Sequence, residues 1–422
     1  MGLYGKKYKL NDLTVRAFLA LTAAGLWGEE WIGIGLDVKE SCQNGIDWKE
    51  VDWDAVMQLA REQALVGILA SAFDAGEGGS VAPGLGFELQ EVLSREQRKA
   101  FAKKVYSLEQ HNQKQGEFIG RLAQWLETNG ISPVLLKGQG VAKSYRIPGR
   151  RTPGDIDLLF QSVEYEKAKQ LLSPKAVKVM QEGKYEKQLQ MFFGKAIVEL
   201  HGTMRVSLSK KIDSYLDSEM ERMFGGGDFM HLSCICSEKT SGQEVQNQEI
   251  QVRIPPVQLH AVYVFLHILE HLFHNGIGLR QVCDLARLLH VHRDEIDREK
   301  LLSDIDSLGV MDEWNAFAAL MVNYLGMRIE DIPLKESADL GPGSKWSRKA
   351  GKLLAFILST GNMGKNRDLS YRRKSPYLVK KAKTLLFIAG NAIRLGVIFP
   401  KNAALISLKG LGEGMKDLAE GK

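Results

Sequence analysis

The run Gly154-Asp155-Ile156-Asp157-Leu158-Leu159-Phe160 sets two carboxylates two residues apart in an otherwise apolar segment. Side chains on a strand alternate between faces. A strand here turns Asp155 and Asp157 to one side and Ile156 and Leu158 into a core. Two like charges so close repel, and each is costly beside a core without a counter-ion. A divalent cation supplies that charge. Magnesium suits the pair, because it takes oxygen ligands, keeps several waters and is commonly held by one or two carboxylates plus substrate phosphates. A third carboxylate, Glu199, stands in the β-rich run Ala196-Ile197-Val198-Glu199-Leu200-His201. A neighbouring strand would set it beside the pair. Two ions about 3.5–4 Å apart can then activate an attacking hydroxyl and stabilise a leaving pyrophosphate.

Upstream, Val134-Leu135-Leu136-Lys137-Gly138-Gln139-Gly140 reads as a strand ending in a glycine-containing turn at a helix start. Such a turn offers backbone N–H groups to phosphate, and Lys137 adds a point charge. Arg151, three residues before Gly154, is placed to clamp a further phosphate oxygen, with Arg150 as its competitor. His201 shares a strand face with Glu199 and suits either a substrate contact or a structural hydrogen bond.

This series resembles a known family: a strand with Lys137-Gly138, then Tyr145, then Arg151-x-x-Gly154-Asp155-x-Asp157, then Glu199-x-His201. It is similar to the uncharacterised bacterial nucleotidyltransferases of the DNA polymerase beta superfamily. The superfamily pattern has Gly-Ser or Gly-Gly where this chain has Lys137-Gly138, a departure shared with that uncharacterised family. The motif-bearing likeness covers about residues 131–202. Gly278-Leu279-Arg280-Gln281 and Asp284 resemble the family's C-terminal half less specifically. The resemblance implies transfer of a nucleotidyl group from a nucleoside triphosphate to an acceptor hydroxyl, with two Mg2+ ions. Asp155 and Asp157 would hold both ions. Glu199 would complete one and help deprotonate the acceptor. Lys137, Gly138, Gly154 and Arg151 would position the nucleotide. The acceptor stays open among small molecule, protein and RNA end. The alternative is a catalytically degenerate module that binds a nucleotide or a partner.

A second group of candidates lies in the helical region after Pro255-Pro256. His260, His267, His271 and His274 fall within about 60° on one helix face, with Glu270 to one side. H-x3-H can hold a metal from adjacent turns, while the same stripe also suits the border of a cleft or a partly buried face. Arg280 and Asp284, spaced i,i+4, suit an intrahelical ion pair or a place in the cleft. Tyr145, His201, His271, His274, Arg280 and Asp284 are therefore the cleft candidates.

The elements that must position these residues are legible as changes of period. Residues 10–128 read mostly as helix, with Leu108, Phe118, Leu122 and Trp125 near multiples of 3.6 and a glycine-rich loop at Ala75–Gly86. Asn129-Gly130 stops the helix. Strands are expected at Ile131–Leu136, Asp155–Phe160, Gln188–Phe193 and Ala196–His201, with helices at Gly138–Tyr145 and Val163–Leu172. Ser237–Glu249 reads as a polar loop or hairpin excursion, and helix follows from His260 to about Leu325. The fold class is α+β: a small mixed-sheet nucleotidyltransferase core flanked by N-terminal and C-terminal helical regions. The expected parts are 1–130, 131–254, 255–334, and a linker with a basic helical tail at 335–422.

The chain has 422 residues, ordinary globular composition and a net charge of +5. From Gly341 to Lys422, 17 Lys/Arg face 4 Asp/Glu, a net +13, which leaves −8 for the remainder. A basic tail on an acidic body fits an anionic partner, a membrane surface, or docking on that body. Docking is favoured, since no aromatic residues interleave to stack bases. Cys42, Cys234, Cys236 and Cys283 are too few and irregular for a disulfide framework, and the lone C-x-C lacks a second pair for zinc. The start has no secretory h-region, and Lys6 breaks a myristoylation pattern. The longest apolar stretch, Leu385–Phe399, is too short to span a membrane and holds Asn391 and Arg394. A cytoplasmic protein is the expectation.

Overall fold

The computed structural model describes residues 9–10, 12–28, 46–73, 89–182, 187–238, 246–366 and 377–406. In chain order the elements are α1 (Leu13–Trp27), α2 (Trp53–Glu62), α3 (Val66–Ser71), α4 (Leu89–Val92), α5 (Arg95–Thr128), β1 (Val134–Leu135), α6 (Gln139–Ala142), β2 (Ile156–Leu159), α7 (Ser162–Leu172), β3 (Lys178–Val179), β4 (Gln188–Phe193), β5 (Ala196–His201), α8 (Lys210–Phe224), β6 (Met230–Glu238), β7 (Gln246–Ile254), α9 (Val257–His274), α10 (Leu279–Val291), α11 (Arg298–Leu308), α12 (Met311–Leu325), α13 (Lys345–Thr360) and α14 (Tyr377–Gly396). Two compact units divide the chain. One comprises 1–98, 265–293 and 297–422, the other 99–264 and 294–296.

The second unit holds a seven-stranded mixed sheet in the order β3-β4-β5-β2-β1-β7-β6. β5 and β2 pair in parallel, as do β1 and β7, and the other neighbours are antiparallel. The fold class is therefore α+β, as the change of period predicts. α5 ends at Asn129-Gly130, where Gly130 adopts φ +71° and Ile131 N donates to Leu126 O at 3.0 Å. A residue in that left-handed region satisfies the last carbonyls of a helix, and glycine adopts it without strain. β4 and β5 form a two-residue hairpin, with Gly194 at φ +61° where such a turn needs a positive φ.

One sheet face is apolar. Ile156 and Leu158 of β2, Val198 and Leu200 of β5, and Leu189 and Met191 of β4 are buried with Ile119, Leu122 and Leu126 of α5 and Tyr165 and Leu172 of α7. The alternating pattern of these strands has exchanged water for this contact, at about 25 cal/mol per Å2 of apolar surface. β6 and β7 extend that face with Cys234, Cys236, Ile250, Val252 and Ile254. Of the two readings of Ser237–Glu249, loop or hairpin, the structure shows the hairpin: the end of β6 pairs antiparallel with the start of β7, and 239–245 lie outside the described residues. A helix at α8 and the short β3 complete the unit without having been anticipated.

The first unit is helical. α1 packs on α2, α3 and α12, and α12 on α10, α11 and α13. Two of its polar links are buried between distant segments. Gln63, fully enclosed, accepts from Leu279 N at 2.9 Å, and Trp27 Nε1 donates to Leu325 O at 2.5 Å. The basic tail contributes α13 and α14, with α13 starting at Lys345, inside residues 335–347, whose glycines, serines and proline read as a linker. The loop read at Ala75–Gly86, Cys42, and Arg372, Arg373 and Lys374 of the tail lie outside the described residues. No described helix is long and apolar enough to cross a membrane.

Candidate functional site

Strand register assembles the site. β2 and β5 set Asp157 opposite Glu199 and Leu159 opposite His201. β4 then sets Gln190 opposite Glu199 and Gln188 opposite His201. Residues paired across a sheet share a face, so Asp157, Glu199, His201, Gln188 and Gln190 occupy the face away from the apolar core. Ligand atoms of Asp157, Glu199 and His201 all lie within 4.8 Å of one another.

Asp157 is only 5% exposed, and a buried carboxylate needs compensating partners. Its Oδ1 receives Lys137 Nζ at 3.0 Å and His201 Nε2 at 3.0 Å. His201 Nε2 is also 3.7 Å from Glu199 Oε2. Ionised carboxylates only accept, so Nε2 of His201 carries the hydrogen in this arrangement. Glu199 is held separately: Gln188 Nε2 donates to Oε2 and Gln190 Nε2 to Oε1, each at 2.8 Å. The donor set is two carboxylates with an ammonium drawn between strand and turn, a place whose chemistry asks for positive charge. Hard oxygen donors of this kind fit a magnesium ion.

Lys137 and Gly138 sit in the turn between β1 and α6. Gly138 has φ +64° and ψ −113°, a region essentially reserved for glycine, and a Cβ there would meet Asp155 O at 3.4 Å. The turn and the D-x-D segment are thus packed backbone to backbone. Asp155 precedes β2 by one residue and is exposed, outside the 4.8 Å group.

α5 holds the segment leading into β2 by a row of polar side chains. Asn112 Nδ2 donates to Gly149 O at 2.6 Å and Arg151 O at 2.9 Å. Gln115 Nε2 donates to Gly154 O at 2.8 Å. Gln139 Nε2 in turn reaches Asn112 Oδ1 at 2.7 Å and Gln115 Oε1 at 3.0 Å. Arg150 Nε pairs with Glu109 Oε1 at 2.8 Å, and burial pulls its pKa below the usual value. Arg151 is 4% exposed, with Nη1 3.4 Å from Thr152 O. Neither the two glutamines of β4 nor the amides of α5 stood out in the sequence. The signal was present as Gln-x-Gln in an apolar strand and as Glu109, Asn112 and Gln115 at spacings of three.

The remaining candidates are dispersed. Tyr145 is buried in the sheet unit, and His260 is fully enclosed. His271 is half-buried and His274 exposed on α9, while Arg280 is half-buried and Asp284 5% exposed on α10, all four in the helical unit. The C-x-C cysteines are free and buried. They face α5 at Gly120, where a Cβ would come within 2.8 Å of both side chains, and burial pushes the Cys234 thiol up to about 12.

No curated protein and no solved structure matches the chain. A family model does, over residues 49–326, a span that takes in the whole D-x-D sheet and the helices from α2 to α12. With the larger part of its length so matched, the chain belongs to the uncharacterised nucleotidyltransferase family.

Proposed function

We propose that the protein transfers a nucleotidyl group from a nucleoside triphosphate to an acceptor hydroxyl, using magnesium held by Asp155, Asp157 and Glu199. The observation that carries this reading is Asp157 facing Glu199 across adjacent parallel strands, with Lys137 Nζ 3.0 Å from the Asp157 carboxylate. Bound magnesium would neutralise charge on the triphosphate and on the departing pyrophosphate.

The chain's own residues do the positioning. Gln188 and Gln190 fix both oxygens of Glu199 while leaving each a second lone pair. His201 holds the Asp157 carboxylate in orientation through Nε2–H. Lys137 exchanges Asp157 for a triphosphate oxygen, a point charge on a flexible stem that can follow its phosphate. Arg151 adds buried positive charge to the segment just upstream. Glu199 is the group placed to take the acceptor's proton. Gly138 keeps the turn tight against Asp155, so its backbone rather than a side chain meets the substrate.

One observation favours a second reading. Lys137 and His201 both engage Asp157 and the two glutamines engage both oxygens of Glu199, protein contacts that a binding module without transfer chemistry would also keep. Calorimetry with each of the four ribonucleoside triphosphates, with and without Mg2+, separates the two. Transfer chemistry predicts binding that requires magnesium and disappears in Asp155→Ala/Asp157→Ala. Nucleotide binding indifferent to both, or none in a folded protein, assigns the chain to the degenerate class.

A further inference from the structure

The face of α9 carries a second constellation, in the helical unit and independent of the reading above. His267 and His271, one turn apart, bring their Nε2 atoms to 2.9 Å from each other with rings nearly perpendicular at 89°. Glu270, to one side of the stripe, places Oε2 3.1 Å from His267 Nδ1. The three side chains are half-buried and their ligand atoms fall within 4.8 Å. The Glu270 carboxylate can only accept, so His267 keeps its hydrogen on Nδ1 and turns the Nε2 lone pair toward His271. That is the carboxylate–histidine arrangement which fixes tautomer and orientation in metal-binding imidazoles.

We propose that His267 and His271 form a binding site for an imidazole-seeking divalent ion such as Zn2+, with Glu270 as its positioning residue. Zn–N bonds of about 2.0–2.1 Å with tetrahedral angles ask for Nε2 atoms roughly 3.3 Å apart, so the side chains open by only a few tenths of an ångström. The hydrogen that His271 gives up at Nε2 passes to its own Nδ1, and both ligands stay neutral imidazoles. Two imidazoles fill two positions of a four-coordinate ion, and the remaining positions fall to other ligands. Imidazole donors separate this site from the oxygen-rich Asp157 site, which suits magnesium.

The test is a Co2+ titration of the full chain after chelator treatment, read by visible absorption, with excess Mg2+ present. One Co2+ should bind, yield to Zn2+ but not to Mg2+, and persist in Asp157→Asn. Affinity should fall at least about tenfold in His267→Asn and His271→Asn, and by about tenfold in Glu270→Gln. X-ray absorption of the Zn2+-loaded wild type, which needs no variant, should show two imidazoles around the metal, whereas the Asp157 group can supply only one. Absence of Co2+ binding, binding unchanged in His271→Asn, loss in Asp157→Asn with retention in the histidine variants, or fewer than two imidazole scatterers would each overturn the proposal.

Discussion

Both oxygens of Glu199 are engaged by neutral amides, Gln188 on Oε2 and Gln190 on Oε1, while His201 Nε2 stands 3.7 Å from Oε2. The two glutamine amides therefore act on the carboxylate's direction more than on its charge. Groups that orient a metal-binding carboxylate commonly account for 10–100-fold in activity. Replacing both in Gln188→Ala/Gln190→Ala should lower turnover by about that factor with an unchanged far-ultraviolet circular dichroism spectrum, because the apolar partners Leu189 and Met191 remain in place. Unaltered kcat would show that Glu199 needs no such guidance. Asp157 is constrained differently, by charge: Lys137 and His201 converge on one oxygen, and the other side chains of its own strand are apolar.

Elements place these residues through long-range pairing that short windows of sequence carry unequally. The hairpin of β4 and β5 has the same bounds in the sequence reading and in the structure, Gln188–Phe193 and Ala196–His201, because both strands alternate around a glycine turn. β6 and β7 were legible only as the hairpin alternative at Ser237–Glu249, because outward Ser233, Glu249, Gln251 and even Ile235 mask the alternation, and the inward Cys234, Cys236, Ile250, Val252 and Ile254 read as scattered apolar residues until paired. The row on α5 was hidden for the opposite reason. Buried amides have no apolar period, so Leu108, Phe118, Leu122 and Trp125 advertised the helix while Asn112 and Gln115 carried the loop. The Asp157–Glu199 opposition lay a step further off. The spacing of the motifs allowed it, but only the parallel register of β2 and β5 specifies it. Asn112 is the keystone among the α5 amides. Asn112→Ala removes the donor to the Gly149 and Arg151 carbonyls and leaves Gln139 only its Gln115 acceptor, at a cost of about 1–3 kcal/mol in urea unfolding. It should also weaken Mg2+-dependent nucleotide binding, whereas a purely structural role would leave that affinity untouched.

At the scale of the molecule, the chain couples a mixed sheet that bears the carboxylates to a helical unit whose stability has its own pH dependence. Glu313 on α12 is 1% exposed, and burial pushes its carboxyl up to about 7, with the Asn402 amide hydrogen bond opposing the shift. Between its ordinary value of 4.5 and 7, the folded state keeps the proton that the unfolded chain releases. Stability from this group is thus complete below pH 4.5, declines as pH rises, and levels off above 7 after a loss of about 3 kcal/mol. Glu313→Gln, which still accepts from Asn402, should match the wild type near pH 4.5 and exceed it by up to that amount at pH 8 in thermal or urea melts. Equal pH profiles for the two proteins would mean that Glu313 ionises freely in the fold.

The two-faced sheet has a consequence for how this chain can change. Positions 157, 188, 190, 199 and 201 share one side, and their strand neighbours 156, 158, 189, 191, 198 and 200 share the other. Substitutions on the first set alter what the surface can bind and leave the packed layer intact, while those on the second alter folding and leave the chemistry in place. Under the proposed function, such a scaffold would let selection exchange one substrate for another by a few steps, and a combinatorial library confined to those five codons would sample new binding without first having to rediscover the fold.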